Sequence, residues 1–212
     1  MADSREAVLA RIRSALGTRD AGAAPEYAAL PRNYVRAGSL DLEARLQLFV
    51  SRLRDYDAHV VEADAPSLPG TIADVLREHG QKIVVAAGGL PPTMLPSECA
   101  FVAEHDAGID TLNRCDGIVT VCTVAIAATG TIILTHGPGE GARRLTLLPD
   151  RHLCVVRADQ VVETVPEAFE RLKGFAAHPL TFISGPSATA DIEMTRIRGV
   201  HGPRFLDVVL VR

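Results

Sequence analysis

The sequence predicts an α/β fold in which an open, mostly parallel sheet is flanked by helices and preceded by an N-terminal helical arm. Short β-branched runs such as 82–87 (KIVVAA) are continuously apolar after their first residue, which is typical of parallel strands buried on both faces. Helix-length amphipathic segments separate these runs. The chain has 212 residues, 47% of them hydrophobic and 23% charged, which is the composition of an ordinary globular domain.

The arm and the main domain divide near residue 38. Segment 3–16 predicts an amphipathic helix that begins at an aspartate N-cap, with Glu6 completing a capping box. Residues 18–38 lose this periodicity and contain prolines and glycines, so we expect an exposed connector there. We therefore predict a helix and connector over residues 1–38 and one domain over residues 39–212, which should fold without the arm.

Helices and strands alternate along the main domain. Helices are predicted where apolar residues recur at spacings of three and four, at 42–53, 68–76 and 165–172. Strands are predicted at the apolar runs 58–63, 82–87, 117–121, 131–135, 152–156, 180–184 and 206–211. Clustered prolines, glycines or small residues predict a loop at 90–99, a turn or helix start at 125–128 and a mobile loop at 136–141.

Composition excludes several classes of protein. A net charge of −4 and the absence of tryptophan argue against a dedicated nucleic-acid binder. No apolar run is long enough to predict a membrane span, and the first residues do not have the pattern of a secretory signal. The four cysteines are scattered without a C-x-x-C pair, which predicts free thiols in the reducing cytoplasm rather than an iron–sulfur or zinc site. The scattered histidines likewise predict no metal site.

Two turns could present hydrogen-bond donors to an anion. The first is Thr129-Gly130-Thr131, which leads into a strand. The second is Gly185-Pro186-Ser187, where Ser187 would cap a short acidic helix beginning near Ala188, with Thr189 in its first turn. We expect the two turns to lie together at the carboxyl edge of the sheet, where ligands bind in such folds. The alternative is that these turns only redirect and cap the chain.

A histidine and an arginine could complete such a site. His201 precedes Gly202 in a loop with glycines on both sides, and it could exchange a proton with a ligand. Arg144 could bind a carboxylate or a phosphate through two hydrogen bonds, whereas Arg143 fits an ordinary solvated side chain. The alternative for His201 is a loop histidine that is hydrogen-bonded to backbone.

Acid–base chemistry could come from Asp191 and Glu193, acting with His201. The alternative is that these two carboxylates only stabilise the start of a helix. The sequence has no G-x-G-x-x-G after the first strand, no Walker A lysine and no G-x-S-x-G motif. A dinucleotide dehydrogenase, P-loop kinase or α/β-hydrolase would need an unusual form of its fold.

Four segments in order resemble the lactate utilisation protein C family, which is built around a LUD domain: 125–134 (AIAATGTIIL), 143–156 (RRLTLLPDRHLCVV), 182–193 (FISGPSATADIE) and 199–203 (GVHGP). The resemblance covers roughly residues 40–212 and implies a fold of the NagB/RpiA/CoA-transferase-like type. It also implies a role with two partner proteins, one carrying iron–sulfur clusters, in converting L-lactate to pyruvate. We expect no cofactor in this chain itself. Ala128 stands where relatives commonly have an acidic residue.

Three hypotheses follow. In the first, the protein is a component of an L-lactate oxidation system and binds a small anion at the clustered TGT, GPS and VHG loops. In the second, it is a free-standing enzyme acting on a phosphorylated sugar, a nucleotide or a folate-like substrate. In the third, it is a scaffold that docks a partner through its N-terminal helix. The sequence leaves open which of these holds, whether the chain catalyses a step and which oligomer it forms.

Overall fold

The computed structural model describes residues 4–17, 23–189, 197–199 and 201–212. The chain divides into two compact units, residues 1–34 and 35–212. No helix in the described part of the chain combines the length and the apolar character needed to cross a membrane.

The first unit contains helices α1 (Ser4–Leu16) and α2 (Ala23–Ala29). None of the residues in α1 is buried. The predicted N-cap, Asp3, lies outside the described residues. Helix α2 contradicts the expectation of an irregular connector over 18–38. Its sequence is rich in alanine, the strongest helix former, and Pro25 occupies the first turn, where proline is tolerated.

The second unit contains the remaining elements. Its described α-helices are α3 (Leu42–Asp55), α4 (Leu68–Glu78), α5 (Ile109–Arg114) and α6 (Val165–Leu172). Its described strands are β1 (His59–Ala63), β2 (Val84–Ala86), β3 (Phe101–Ala103), β4 (Gly117–Val121), β5 (Val124–Ile126), β6 (Thr131–Leu134), β7 (Arg151–Arg157), β8 (Val161–Val162), β9 (Thr181–Ile183), β10 (Ala188–Thr189), β11 (Ile197–Arg198) and β12 (Phe205–Val211).

The principal sheet has six strands in the order β1-β12-β7-β4-β2-β3, and every neighbouring pair is parallel. The predicted fold class, a mostly parallel sheet flanked by helices, is therefore confirmed. A second, mixed sheet of order β8-β5-β6-β9 was not predicted. Residues 125–126 lie in its strand β5 rather than in a turn or helix start, because apolar Val124 and Ile126 are buried between layers, whereas 127–128 form the turn that was predicted.

The core forms between four layers. Helix α3 and the second sheet pack on one face of the principal sheet, and α4 packs on the other. Helix α6 covers the outer face of the second sheet. In α3 the buried residues follow the predicted helical spacing: Leu46, Phe49, Val50 and Leu53. Strands β3 and β8 and helix α5 were missed because they contain only 3, 2 and 6 residues, too few to show a period.

The helix predicted to begin near Ala188 is wrong. Residues 188–189 form strand β10, which pairs antiparallel with β11. Ser187 therefore does not cap a helix. Its hydroxyl accepts a hydrogen bond from the His201 N–H at 3.1 Å, and its own N–H donates to the Pro203 carbonyl at 2.8 Å. Local propensity favoured a helix, but hydrogen bonds to a loop far along the chain decide this conformation.

Candidate functional site

A cleft of about 320 Å³ brings the GPS turn together with the loop around His201. Its volume is at the lower end of the range for small-molecule sites. It is lined by Arg143, Thr146, His152, Thr181, Phe182, Ile183, Ser184, Gly185, Pro186, Ser187, His201, Gly202, Pro203 and Leu206. His152 and Leu206 are the second residues of β7 and β12, so the cleft lies at the amino ends of these strands. The expectation that the GPS turn lies at the carboxyl edge of the principal sheet is thus wrong, because β9, which precedes the turn, belongs to the second sheet.

Two glycines shape the cleft wall. Gly185 has φ +84 and lies so close to α3 that a Cβ atom there would be 2.5 Å from the Tyr56 Cβ. A Cβ atom on Gly202 would be 3.1 Å from the Thr146 carbonyl oxygen. These close approaches explain the glycines in both loops by packing. They also leave the backbone of the cleft wall without side chains that would fill the space.

Arg143 supplies the positive charge of the cleft. Its Nη1 donates to the carbonyl oxygen of Thr146 at 3.0 Å and to the Thr146 hydroxyl at 2.6 Å. Within the described residues its hydrogen bonds use Nη1 alone, so its other donors can point to a ligand. Burial lowers the pKa of Arg143 from its ordinary value, and the guanidinium stays charged at neutral pH.

His152 forms a neutral part of the cleft wall. Its side chain is 1% exposed, and Nε2 lies 2.7 Å from the hydroxyl oxygen of Thr120. Burial lowers the pKa of His152 to about 4, so the ring is uncharged at neutral pH. A histidine that opens an apolar strand was the available signal for this residue, and the sequence analysis did not use it.

The described lining contains no carboxylate. Its ionisable side chains are Arg143, His152 and His201, and its other polar side chains are hydroxyls. His201 is exposed, and its imidazole makes no hydrogen bond within the described part of the chain. A guanidinium, several hydroxyls and an imidazole that can either donate or accept a hydrogen bond suit a small anion better than a cation.

The TGT turn lies beside the GPS turn, as predicted. The Thr131 hydroxyl is 2.8 Å from that of Ser184 and 2.7 Å from that of Thr129, so the three form a chain of hydrogen bonds. Gly130 has φ +60 and packs against Arg52 of α3. The lining of the cleft does not include Thr129, Gly130 or Thr131, and in the structure this turn supports Ser184.

The other predicted site residues have different outcomes. Arg144 is exposed and is not part of the cleft lining, whereas its neighbour Arg143 is. Thr189 belongs to strand β10. Asp191 and Glu193 lie outside the described residues, so their roles as acid–base groups stay predictions.

A second, more open cavity of about 540 Å³ lies at the carboxyl ends of β2 and β3, where ligands bind in many α/β sheets. Arg143 lines this cavity as well as the cleft, but the other charged side chains of the lining already bind groups of the surrounding loops. Glu104 accepts from the N–H groups of Gly88 and Ala142 at 2.8 Å each. The ring nitrogens of His136 lie 2.7 Å from the Gly141 carbonyl oxygen and 2.8 Å from the Thr181 hydroxyl. These hydrogen bonds connect loops of the protein and leave Glu104 and His136 occupied. We therefore place the candidate site in the cleft.

Comparison with known proteins identifies the family. A LUD domain matches residues 2–211, a range that includes the amino-terminal segment. Lactate utilization protein C of Deinococcus radiodurans is 42% identical over 193 residues, covering 90% of this chain and 89% of the relative. Lactate utilization protein C of Bacillus subtilis is 27% identical over 232 residues, covering 98% and 96% of the two chains.

A solved structure agrees with these relatives. The crystal structure of a DUF162 family protein from Deinococcus radiodurans superimposes with a TM-score of 0.71 at 35% sequence identity. The similarity covers 82% of this chain and all of the other. Because the domain match spans nearly the whole sequence and a relative above 30% identity covers most of it, the chain belongs to the LUD-domain family.

Proposed function

We propose that this protein is a cytoplasmic component of an L-lactate utilisation system, in which it works with iron–sulfur partner proteins in the conversion of L-lactate to pyruvate. Its relatives named lactate utilization protein C support the process. The observation that supports a binding role for this chain is the cleft, whose described lining has cationic and hydroxyl groups and no carboxylate. The ligand of that cleft is a small anion of the monocarboxylate class.

Arg143 binds the carboxylate of this ligand. Its Nη1 is held by Thr146, which fixes the plane of the guanidinium and leaves the remaining donors for the ligand. Arg143 is exposed overall, although partial burial of its guanidinium lowers its pKa. Partial exclusion of water strengthens the attraction between opposite charges. The hydroxyls of the wall then contact the rest of the anion.

His201 contacts the α-substituent of the ligand, a hydroxyl in lactate or a carbonyl in pyruvate. Its loop is held in place by Ser187, whose side chain and backbone bind residues 199–203. An imidazole can donate to a carbonyl oxygen or accept from a hydroxyl, so it suits either compound. Ala128, exposed near the TGT turn, supplies no carboxylate to this region.

The test compares two adjacent arginines. Arg143→Gln should weaken binding of L-lactate or pyruvate by about tenfold or more, because a hydrogen bond to a charged group is lost. Arg144→Gln is the matched control, since both arginines are exposed but only Arg143 lines the cleft. Isothermal titration calorimetry on both purified variants measures the difference. Equal affinities in the two variants would contradict the assignment of the cleft.

Growth tests the process itself. A strain that lacks its own copy of the gene, complemented with wild type, should grow on L-lactate, and the Arg143→Gln and His201→Ala variants should grow more slowly. Growth on glucose is the control for the general fitness of each strain. Normal growth on L-lactate without any copy of the gene would overturn the proposal. Turnover of a phosphorylated sugar, a nucleotide or a folate by the purified chain alone would support the free-standing enzyme instead.

A further inference from the structure

A polar cluster lies at the same edge of the principal sheet as the cleft but on its opposite face. His59 opens β1, and its neighbour in register on β12 is Asp207. His79 follows α4 directly and points to the same place. Residues of β1 and β12 that share this face, such as Val61 and Val209, pack against α4. Two imidazoles and one carboxylate from three separate elements thus converge on one point.

We infer that His59, His79 and Asp207 form a binding site for a divalent first-row metal ion of the Zn²⁺ type. One ligand atom from each of the three side chains lies within 4.8 Å of the other two. His59 Nδ1 is 3.1 Å and His79 Nε2 is 3.2 Å from Asp207 Oδ1. Two ligand atoms that each bind a zinc ion at about 2.1 Å are roughly 3.0–3.4 Å apart at octahedral or tetrahedral angles.

The hydrogen bonds of the cluster are incomplete without an ion. Three nitrogen atoms approach Asp207 Oδ1 at 3.1–3.2 Å, from His59, His79 and Arg151. A carboxylate oxygen accepts about two such bonds. His79 Nε2 is buried and makes no hydrogen bond of acceptable geometry, although Oδ1 is near. An ion between the three side chains would be coordinated by a lone pair of each imidazole, and His79 Nε2 would then have a partner.

Arg151 positions the carboxylate. Its Nη1 donates to both carboxylate oxygens, at 2.9 Å to Oδ2 and 3.1 Å to Oδ1, and Oδ1 is the oxygen that the two histidines approach. Ligating carboxylates are commonly held by a further hydrogen bond of this kind. The positive charge of Arg151 offsets the negative charge of Asp207. The bound ion would therefore favour water, hydroxide or a small anion at its remaining coordination positions.

The donor set selects the class of ion. Imidazole nitrogens favour Zn²⁺, Co²⁺ or Ni²⁺, whereas Mg²⁺ and Ca²⁺ prefer oxygen ligands. Three protein ligands leave at least one coordination position open. The side chains of His59 and His79 are 37% and 22% exposed, so an ion can enter from solvent, while that of Asp207 is 1% exposed.

Metal titration of the purified, chelator-treated chain tests this site. Zn²⁺ should bind with one equivalent per chain in calorimetry and raise the melting temperature, since the ion binds the folded form. Co²⁺ should produce visible absorption bands of a nitrogen- and oxygen-coordinated ion. The double variant His59→Ala, His79→Ala should lose at least about tenfold in affinity, together with the cobalt bands and the thermal shift.

The control is His105→Ala, which removes a histidine that is 81% exposed and lies outside the cluster. This variant should bind Zn²⁺ as wild type does. Circular dichroism confirms that each variant is folded, and Asp207→Asn is a second variant should the double histidine variant fail to fold. Absence of Zn²⁺ binding with a Kd below about 1 mM overturns the proposal. One-equivalent binding that survives in folded cluster variants also overturns it.

Discussion

At one edge of the principal sheet, the two faces differ in how their buried polar groups are stabilised. Arg151 and His152 are neighbours in β7, as Leu206 and Asp207 are in β12. Side chains alternate along a strand, so His152 and Leu206 line the cleft while Arg151 and Asp207 join the cluster on the other face. Adjacent residues on each strand therefore belong to two different sites, a candidate ligand cleft on one face and a candidate metal site on the other.

The comparison shows two solutions to the cost of burying an ionisable group. On the cleft face, His152 is neutral, because burial lowers its pKa to about 4, and the Thr120 hydroxyl satisfies its Nε2. On the other face, the Asp207 side chain is 1% exposed, is paired with Arg151 and is hydrogen-bonded to His59. A buried group in a protein is either uncharged and hydrogen-bonded or charged and paired.

Removing the central carboxylate of the cluster should have the largest effect. Asp207→Ala leaves Arg151 as a half-buried cation without its partner and removes the acceptor of His59. We expect the free energy of unfolding to fall by about 3–5 kcal/mol. Urea denaturation measures this change in the free energy of unfolding. A chelator is present so that metal binding does not contribute.

The matched control is Asp150→Ala. Asp150 pairs with Arg204 through two hydrogen bonds of 2.6 Å, but both side chains are about half exposed, at 43% and 56%. Its loss should cost less than about 1 kcal/mol. Similar losses for Asp150→Ala and Asp207→Ala would break the distinction between a buried cluster and a surface pair.

The neutral histidine of the cleft face should make stability depend on pH. The folded pKa of His152, about 4, lies below its ordinary value of 6.5, so the unfolded chain takes up the proton first. This contribution is fully present above pH 6.5 and is lost as the pH falls toward 4, by roughly 3 kcal/mol in total.

His152→Gln isolates this contribution. Glutamine can place a polar atom near the Thr120 hydroxyl but does not titrate. Carboxylates elsewhere affect both proteins alike, so the difference between the two curves of unfolding free energy against pH reports His152 alone. A difference that stays constant between pH 7 and pH 4 would show that His152 is not held neutral by burial.

A single hydrogen bond at the cleft should matter less than either buried group. Ser187→Ala removes the acceptor of the His201 N–H, which lies at the rim and can bind water instead. We expect a loss of about 1 kcal/mol in the free energy of unfolding. Ligand affinity in calorimetry should fall by more than this, because the loop that carries His201 is no longer held. If stability falls and affinity does not, Ser187 is purely structural.

Removing the first unit should have the smallest effect on the second. A chain that begins at Val35 retains the contacts of residues 38–41, where the Gly38 and Leu40 N–H groups donate to Glu167 and Glu163. We expect its unfolding free energy to change by less than about 0.5 kcal/mol.

The control is a chain that begins at Leu42. It loses both of those hydrogen bonds and also the Asp41 N-cap of α3, whose carboxylate accepts from the Ala44 N–H at 2.8 Å. Losing the cap alone should cost about 1 kcal/mol. Equal stability of the two shortened chains would mean that residues 35–41 contribute nothing, and a large loss in the longer one would mean that the first unit supports the core.

Local pattern was sufficient for the long elements. Helices α3, α4 and α6 and strands β1, β4, β7 and β12 follow from apolar periodicity, because each is long enough to repeat its pattern. The GPS and TGT turns were also found, since glycine is required where a positive φ meets a close approach to α3. The second sheet was missed because β5 and β8 have only three and two residues, and because nothing local to β6 and β9 shows which sheet they join.

The sequence by itself determined the parallel sheet, the helices that cover it and the loops that carry Gly185 and His201, because these depend on residues close together in the chain. Only the tertiary structure decided that Arg143 rather than Arg144 faces the cleft, and that Ser187 binds the His201 loop instead of capping a helix. It also brought His59, His79 and Asp207 together. These arrangements bring together residues that are separated in the sequence. They depend on strand register, on the order of strands in the sheet and on packing, and a local sequence pattern does not predict any of these.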